Sequence, residues 1–254
     1  MPDFIFVSLE NWDEVWRRNQ FLCSKLVKRF PRSKMLFVGR PWDIPNYLMP
    51  SRFKESLGQI IRKLRKRRFE GLPGKPTWTV PDLFNITVTR PLKLFPDSFR
   101  WGRLFNEAIA RMQILRLAGK IGIKNPILWI NPHYAAHLAG KMNECFVIYD
   151  ITDDFTLARS FKKEKHLIRH QDHLLCKKAD LVIVCSKALE VSRRGLCKQI
   201  LLLPNGVDPE HYKCVPELSK DKGKHRWPSP VFGYTGTLLP DRLDISIIIT
   251  LAKA

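Results

Sequence analysis

Short, mostly apolar runs recur along this chain, and between them lie longer segments whose apolar residues keep helical spacing. DFIFVS (Asp3 to Ser8), KMLFVG (Lys34 to Gly39), FNITVTRPL (Phe84 to Leu92), PILWINP (Pro126 to Pro132), CFVIYDI (Cys145 to Ile151), DLVIVCS (Asp180 to Ser186) and QILLLP (Gln199 to Pro204) read as strands. Strands without a polar face belong to parallel sheets covered on both sides. The intervening segments supply the covers. WDEVWRRNQFLCSKLVKRF places Val15, Phe21 or Leu22, Leu26 and Phe30 at helical intervals and is ended by Pro31. WGRLFNEAIARMQILRLAGKIG, KHLIRHQDHLLCKKA and KALEVSRRGL have the same character. The expected fold is α/β, a doubly wound Rossmann-like parallel sheet, with crossovers of the usual right hand.

That pattern runs to residue 206. A polar segment, GVDPEHYKCVPELSKDKGKHRWPSP, reads as a linker over 207–229. After Pro230 the chain starts again with VFGYTGTLLPDRLDISIIITLAKA (Val231 to Ala254), which has the form of a strand, a glycine turn and a helix. We therefore expect one complete α/β domain over 1–206 and the first βα unit of a second over 230–254.

Composition sets further bounds. Of 254 residues, 44% are apolar, including seven Trp and fifteen Phe, which excludes a disordered chain. The N-terminal segment has no basic leader or small-residue cleavage site, so no signal peptide is expected. No apolar run reaches the roughly 20 residues of a membrane-spanning helix. The six cysteines form no C-x-x-C pair, and Cys145 and Cys185, at or within strand-like runs, are expected to be reduced core residues. With 44 Lys and Arg against 24 Asp and Glu the net charge is +20, which points to polyanionic partners: nucleic acid, an anionic membrane face or a phosphorylated substrate.

At ADLVIVCS, LLLPNGVD and VFGYTG the order of elements becomes specific. Ala179-Asp180-Leu181-Val182 with Ser186, then Leu203-Pro204-Asn205-Gly206-Val207-Asp208, then Gly233-Tyr234-Thr235-Gly236 resembles the nucleotide-sugar-dependent glycosyltransferases of the GT-B fold, of the family-four-like type. WDEVWRRNQFLCSKL and VIYDITDDF resemble the bacterial subgroup that builds surface polysaccharides. The resemblance implies transfer of a sugar from a nucleotide sugar to a lipid-linked or polysaccharide acceptor, with retention, without metal or other cofactor, at the cytoplasmic side of a membrane. It also implies that most of a donor-binding second domain, on the order of another 130 residues, is absent, and that the chain alone transfers little or nothing. Two features depart from the pattern. The loop LENWDEVWRRN lacks the glycine pair that many relatives carry after the first strand, and the acidic donor motif of the second domain is missing.

The resemblance and the chemistry together name candidate residues. Negative charge grows on the departing diphosphate, so the transferase must face it with positive dipoles. Gly233 and Gly236 allow a tight turn whose N–H groups can point at phosphate, Thr237 adds a hydroxyl, and Asn205 belongs to the same donor-binding set; the bland alternative is a plain βα turn. His133, after the PILWINP strand, stands where relatives keep a histidine near the reacting sugar, or is a loop residue without a role. Asp153 and Asp154 either accept the proton of the acceptor hydroxyl or cap the following helix. Arg17, Arg18 and Asn19 either hold a phosphate of donor or lipid carrier or form a solvated helix face.

Two further segments invite a site. His166, His170 and His173 with Cys176 fall near one helix face, a spacing that can chelate zinc, but Lys162, Lys163, Lys165, Lys177 and Lys178 surround them and would repel a dication. RFKESLGQIIRKLRKRRFEG (Arg52 to Gly71), with eight basic and two acidic residues, reads as an amphipathic helix that lies on an anionic lipid surface or packs on the sheet. A nucleic-acid-binding module without a recognised motif, and a non-catalytic remnant acting as a basic membrane- or nucleic-acid-binding module, are the alternatives to an enzyme.

Overall fold

The computed structural model describes residues 1–13, 16–45, 78–80, 82–97, 99–157, 164–207, 209–210, 231–236 and 243–253. The basic segment Arg52 to Gly71, most of the linker and Thr237 lie outside the described residues.

Ten strands are seen among them: β1 (Phe4–Val7), β2 (Met35–Val38), β3 (Trp42–Asp43), β4 (Trp78–Val80), β5 (Leu83–Thr89), β6 (Leu92–Lys93), β7 (Ile127–Ile130), β8 (Phe146–Ile151), β9 (Leu181–Val184) and β10 (Ile200–Leu202). Five α-helices accompany them: α1 (Arg18–Arg29), α2 (Arg100–Lys120), α3 (Lys165–Lys178), α4 (Lys187–Arg193) and α5 (Ile245–Lys253). A 3₁₀ turn, His133–His137, links β7 toward β8. Eight strands form one sheet in the order β10-β9-β8-β7-β1-β2-β5-β4. All neighbours are parallel except β4, which runs antiparallel along β5. This is the expected Rossmann-like α/β domain. The edge strand β4 and the short β3–β6 pair were not legible in the apolar pattern, because two- and three-residue strands carry no periodicity.

Period-two alternation divides the strands between two cores. Ile5, Val7, Leu36, Val38, Leu128, Ile130, Val147, Tyr149, Val182 and Val184 face one side, where Ile114 and Leu117 of α2, Leu175 and Cys176 of α3 and Leu189 of α4 cover them. Phe4, Phe6, Met35, Phe37, Trp129, Ile148 and Ile183 face the other, under Cys23 and Val27 of α1. On these central strands neither face meets water, which is why their runs are apolar throughout, whereas Phe84 of β5 and Leu201 of the edge strand β10 are exposed. Each fully buried Leu, Ile or Phe contributes about 1.5–3 kcal/mol. The α1 side is aromatic: Phe6 stacks on Phe37 at 5.8 Å and on Trp129 at 5.4 Å, and Trp12 meets Phe37 edge-on at 5.0 Å.

Three expectations change. Cys145 is exposed rather than buried, because it precedes β8 at the amino edge of the sheet, beyond the helix cover; Cys185 is half-buried, and among the described residues Cys23 and Cys176 are the fully buried thiols. His166, His170 and His173 share one outward face of α3, but Cys176 is sealed in the core and does not join them. Finally, residues 231–236 form no strand although α5 follows. A strand needs a neighbour for its N–H and C=O groups, and among the described residues no strand is aligned with this stretch.

A buried polar network ties the α3–α4 cover to the sheet. The Tyr149 hydroxyl donates to Asp172 Oδ1 at 2.8 Å. Arg193 Nε lies 2.9 Å from Asp172 Oδ2, and its Nη2 lies 3.2 Å from Asp154. Asp172→Ala should lower stability by about 3 kcal/mol, because it strands a phenol and half of a buried guanidinium. Asp172→Asn, which keeps an acceptor for Tyr149, should cost less; urea denaturation of both variants checks the order.

Candidate functional site

Parallel strands end together, and on this sheet the carboxyl ends carry polar side chains directly after apolar runs. Ser8 follows β1, Asn131 follows β7, and Asp150 is the penultimate residue of β8; all three are buried. β1 sits between β2 and β7, with the chain winding outward in one direction through β2 and β5 and in the other through β7 to β10. The crevice at such a switch point is where doubly wound sheets take ligands.

The polar side chains there are joined. Asn19, on the first turn of α1, donates through Nδ2 to Ser8 Oγ at 2.8 Å and to Asn131 Oδ1 at 3.0 Å. Asn131 Oδ1 also accepts from the Leu9 N–H at 3.2 Å, and Asn131 Nδ2 donates to the Asp150 carbonyl at 2.8 Å. The loop after β1, which lacks glycine, is thereby held by side chains. Ser8 Oγ accepts from Glu10 N–H, and Gln20 closes the start of α1 by accepting from Arg17 N–H at 3.1 Å and donating to the Asn11 carbonyl at 3.0 Å.

Arg18 spans the site. Its Nη2 and Nε reach the two carboxylate oxygens of Asp150 at 3.2 and 3.4 Å, and its Nη1 donates to Asn205 Oδ1 at 3.0 Å. Nη2 also reaches the Leu203 carbonyl at 3.4 Å. One guanidinium thus joins α1, the end of β8 and the exit of β10. Burial raises the Asp150 pKa above its ordinary value, and the Arg18 charge and the Trp129 indole N–H oppose that shift.

Around this clamp lies a cleft of about 1230 Å³. Leu9, Glu10, Trp16, Arg17, Arg18, Asn19, Asn131, Thr152, Asp153 and the segment Leu203 to Val207 are among its walls. Five residues singled out from the sequence come together there: Arg17, Arg18, Asn19, Asp153 and Asn205. Their states differ. Asn19 is buried and committed to the network, and Arg18 is committed to Asp150. Arg17 is half-exposed, with Glu10 at 3.4 Å and Asp13 at 3.1 Å. Burial raises the Glu10 pKa, while Arg17 pulls it down.

His133, Asp154, Gly233 and Gly236 do not line this cleft. His133 opens the 3₁₀ turn, and its ring lies against Phe155 at 5.6 Å with Nδ1 3.1 Å from Gln171 Oε1. Burial lowers its pKa. Asp154 accepts from Thr156 N–H at 3.0 Å and pairs with Arg193. Burial works to raise its pKa, but Thr156 and Arg193 outweigh it and hold the carboxyl below its usual range. Gly233 and Gly236 are exposed, and Gly236 adopts φ +152°, a region favouring glycine. Among the described residues no group of His, Cys, Asp or Glu side chains is arranged to hold a metal ion, and no helix is long and apolar enough to cross a membrane.

Asn131, Glu10, Trp16 and Asp150 are not among the candidates read from the sequence. A carboxylate inside the otherwise apolar FVIYDI was the available signal, since a buried charge requires a partner.

No protein-family model matches this chain, and no curated protein matches it by sequence. Among solved structures, a sucrose-phosphate synthase from Thermosynechococcus elongatus is similar with a TM-score of 0.45 and 13% identity, covering 87% of this chain and 98% of that one. No residue role transfers across that distance.

Arg18→Ala should cost about 3 kcal/mol at neutral pH by leaving the Asp150 carboxylate buried without its cation. The native Asp150 pKa lies above its unfolded value, and removal of Arg18 lifts it further. The folded variant then holds a proton that the unfolded chain releases, so the stability gap to the parent should narrow as pH falls from 7 to 5. Parallel denaturation curves at the two pH values check the sign.

Proposed function

We propose that this protein is a glycosyltransferase that moves a sugar from a nucleotide-sugar donor to a lipid-linked or polysaccharide acceptor. The observation that carries the reading is the meeting, in one cleft at the switch point of the sheet, of the Asp153 side with the Pro204-Asn205-Gly206 segment. The latter is the centre of the motif through which the sequence resembles GT-B transferases.

The acceptor hydroxyl attacks the anomeric carbon as the bond to the diphosphate breaks. Attack comes on the face from which the diphosphate departs; Asp153, at the cleft wall, orients the hydroxyl or takes its proton in passing, and the departing phosphate oxygen carries that proton away. Retention follows from the family resemblance. Arg17, the more exposed of the two arginines, is the one that can leave its carboxylate partners for an acceptor phosphate. Arg18 and Asn19 act as positioning residues, and Asn205 carries the cleft toward the donor, whose diphosphate would meet the backbone amides of Gly233 and Gly236 and the Thr237 hydroxyl. His133 then acts on the far side of the Ile151 to Phe155 loop, by fixing it through Phe155, and Asp154 holds the same loop to Arg193. No cofactor or metal takes part. Nucleotide sugars place the reaction in the cytoplasm, at the inner face of the cell membrane where the acceptor is lipid-linked.

The test is calorimetric titration of UDP-, GDP- and ADP-hexoses onto this chain and onto a version extended by a complete second lobe, with radiolabelled transfer measured in the latter. Asp153→Asn should lower transfer roughly 100-fold with donor affinity kept, whereas Asp154→Asn should chiefly lower the melting temperature. Equal transfer by the parent and Asp153→Asn would remove the assignment, and no binding of any nucleotide sugar by either version would remove the reaction class.

A further inference from the structure

Helix α2 is apolar on two sides. Its buried side is Gly102, Asn106, Ala110, Ile114, Leu117 and Ala118, which covers the sheet and the loop before the helix. A second stripe, Trp101, Leu104, Phe105, Ala108 and Met112, repeats at the same helical spacing but faces solvent. Trp101 is 83% exposed, Met112 62% and Phe105 53%. Phe99, at the N-cap two residues before Trp101, is 67% exposed. Scattered exposed apolar residues are ordinary on a protein surface, but a contiguous aromatic patch marks a binding face.

The patch is held rigidly. Asn106 Oδ1 accepts from the N–H groups of Leu94 and Phe95 at 2.9 and 3.0 Å, and its Nδ2 donates to the Phe95 carbonyl at 2.8 Å. A single buried amide therefore fastens the loop before α2 to the helix. Gly102 lets that loop approach, since a Cβ there would stand 2.8 Å from Phe95 Cβ. Phe95 then meets Phe105 edge-on at 5.2 Å. Basic residues border the patch: Arg100 is exposed, and Arg103 and Arg111 are half-buried. Of the nearby acids, Asp97 is paired with Lys93 at 2.6 Å, and Glu107 lies among Arg103, Arg111 and Lys141.

We propose that this face of α2 docks on an anionic lipid surface, with the Phe99, Trp101 and Phe105 rings inserted at the level of the headgroups and the neighbouring arginines on lipid phosphates. Aromatic rings beside guanidinium groups suit the interfacial zone, where one end of the contact is apolar and the other charged. The charge decides against a second copy of this chain as the occupant: each copy carries +20 and would bring its own arginines to the same face. The face is separate in sequence from the basic amphipathic segment Arg52 to Gly71, which lies outside the described residues. The docking does not depend on the glycosyl-transfer reading.

The test is co-sedimentation of the full chain with vesicles of phosphatidylcholine alone and of phosphatidylcholine mixed with phosphatidylglycerol, at low and high salt. The chain should prefer the anionic vesicles. Trp101→Ser combined with Phe105→Ser should weaken that binding at least about tenfold, and the difference should persist at high salt, where binding by charge alone is screened. Phe99→Ser, with Arg100 and Arg103 intact, should give a smaller loss in the same direction and serves if the double variant melts early. Equal binding by the parent and both variants would overturn the proposal. So would a parent that ignores vesicles and sediments as a dimer that the double variant abolishes. Nucleotide-sugar titration of the same variants, expected to be unchanged, separates this result from any failure of the transferase reading.

Discussion

A carboxylate at the end of a strand buried on both faces has to find a positive charge, and Asp150 finds it in Arg18, 132 residues earlier in the chain. That pair is what draws α1 down onto the carboxyl edge of the sheet. Because the same guanidinium also takes the Leu203 carbonyl and Asn205, it fixes where the chain goes after β10. The cleft is the space left around this clamp. A neutral residue at 150 would pack as well in the strand, yet the guanidinium would then keep only its bonds to the Leu203 carbonyl and Asn205, and its link to the end of β8 would be lost.

The clamp works because the sheet around it is stiff. Six parallel pairings place the strand ends side by side, and the two cores that flank them differ in kind: rings of Phe6, Phe37, Trp12 and Trp129 beneath α1, branched aliphatic side chains beneath α2, α3 and α4. The α1 face carries its helix on large, slowly yielding rings, so the arginine-bearing first turn is presented at a constant height above the sheet. On the opposite face, the Tyr149–Asp172–Arg193–Asp154 network does by ionic contact what the rings do by packing. It anchors the loop after β8, on which Asp153 is mounted.

Much of this was legible from residue order. The two-sided apolar runs marked β1, β2, β7, β8, β9 and β10 and their parallel arrangement, and the helical spacings located α2, α3 and α4 to within a few residues and the end of α1, whose first turn begins at Arg18 rather than at Trp12. Arg17, Arg18, Asn19, Asp153 and Asn205 were recognised as candidates from a motif, and they line one cleft. Direction was not legible. Asp153 and Asp154 are adjacent and chemically identical, yet one lines the cleft and the other turns away to Arg193, because a loop has no period from which a side chain's heading can be read. His133 illustrates the same point: it follows the right strand, but the 3₁₀ turn swings its ring toward Gln171 and Phe155.

What the sequence by itself determined is the class of fold, since apolar strands without a polar face can be satisfied only by a parallel sheet covered on both sides. It also determined the strongly basic balance, which no arrangement of the chain can alter. Only the tertiary structure decided which charges are available: Arg18 is held by Asp150 and Arg193 by two carboxylates, while Arg17 remains half-exposed. It alone decided, too, that one apolar stripe of α2 enters the core and the other meets solvent. Both decisions are made by contacts between residues far apart in the chain. Helical spacing fixes which residues share a face, but only the packed neighbours settle which face is covered.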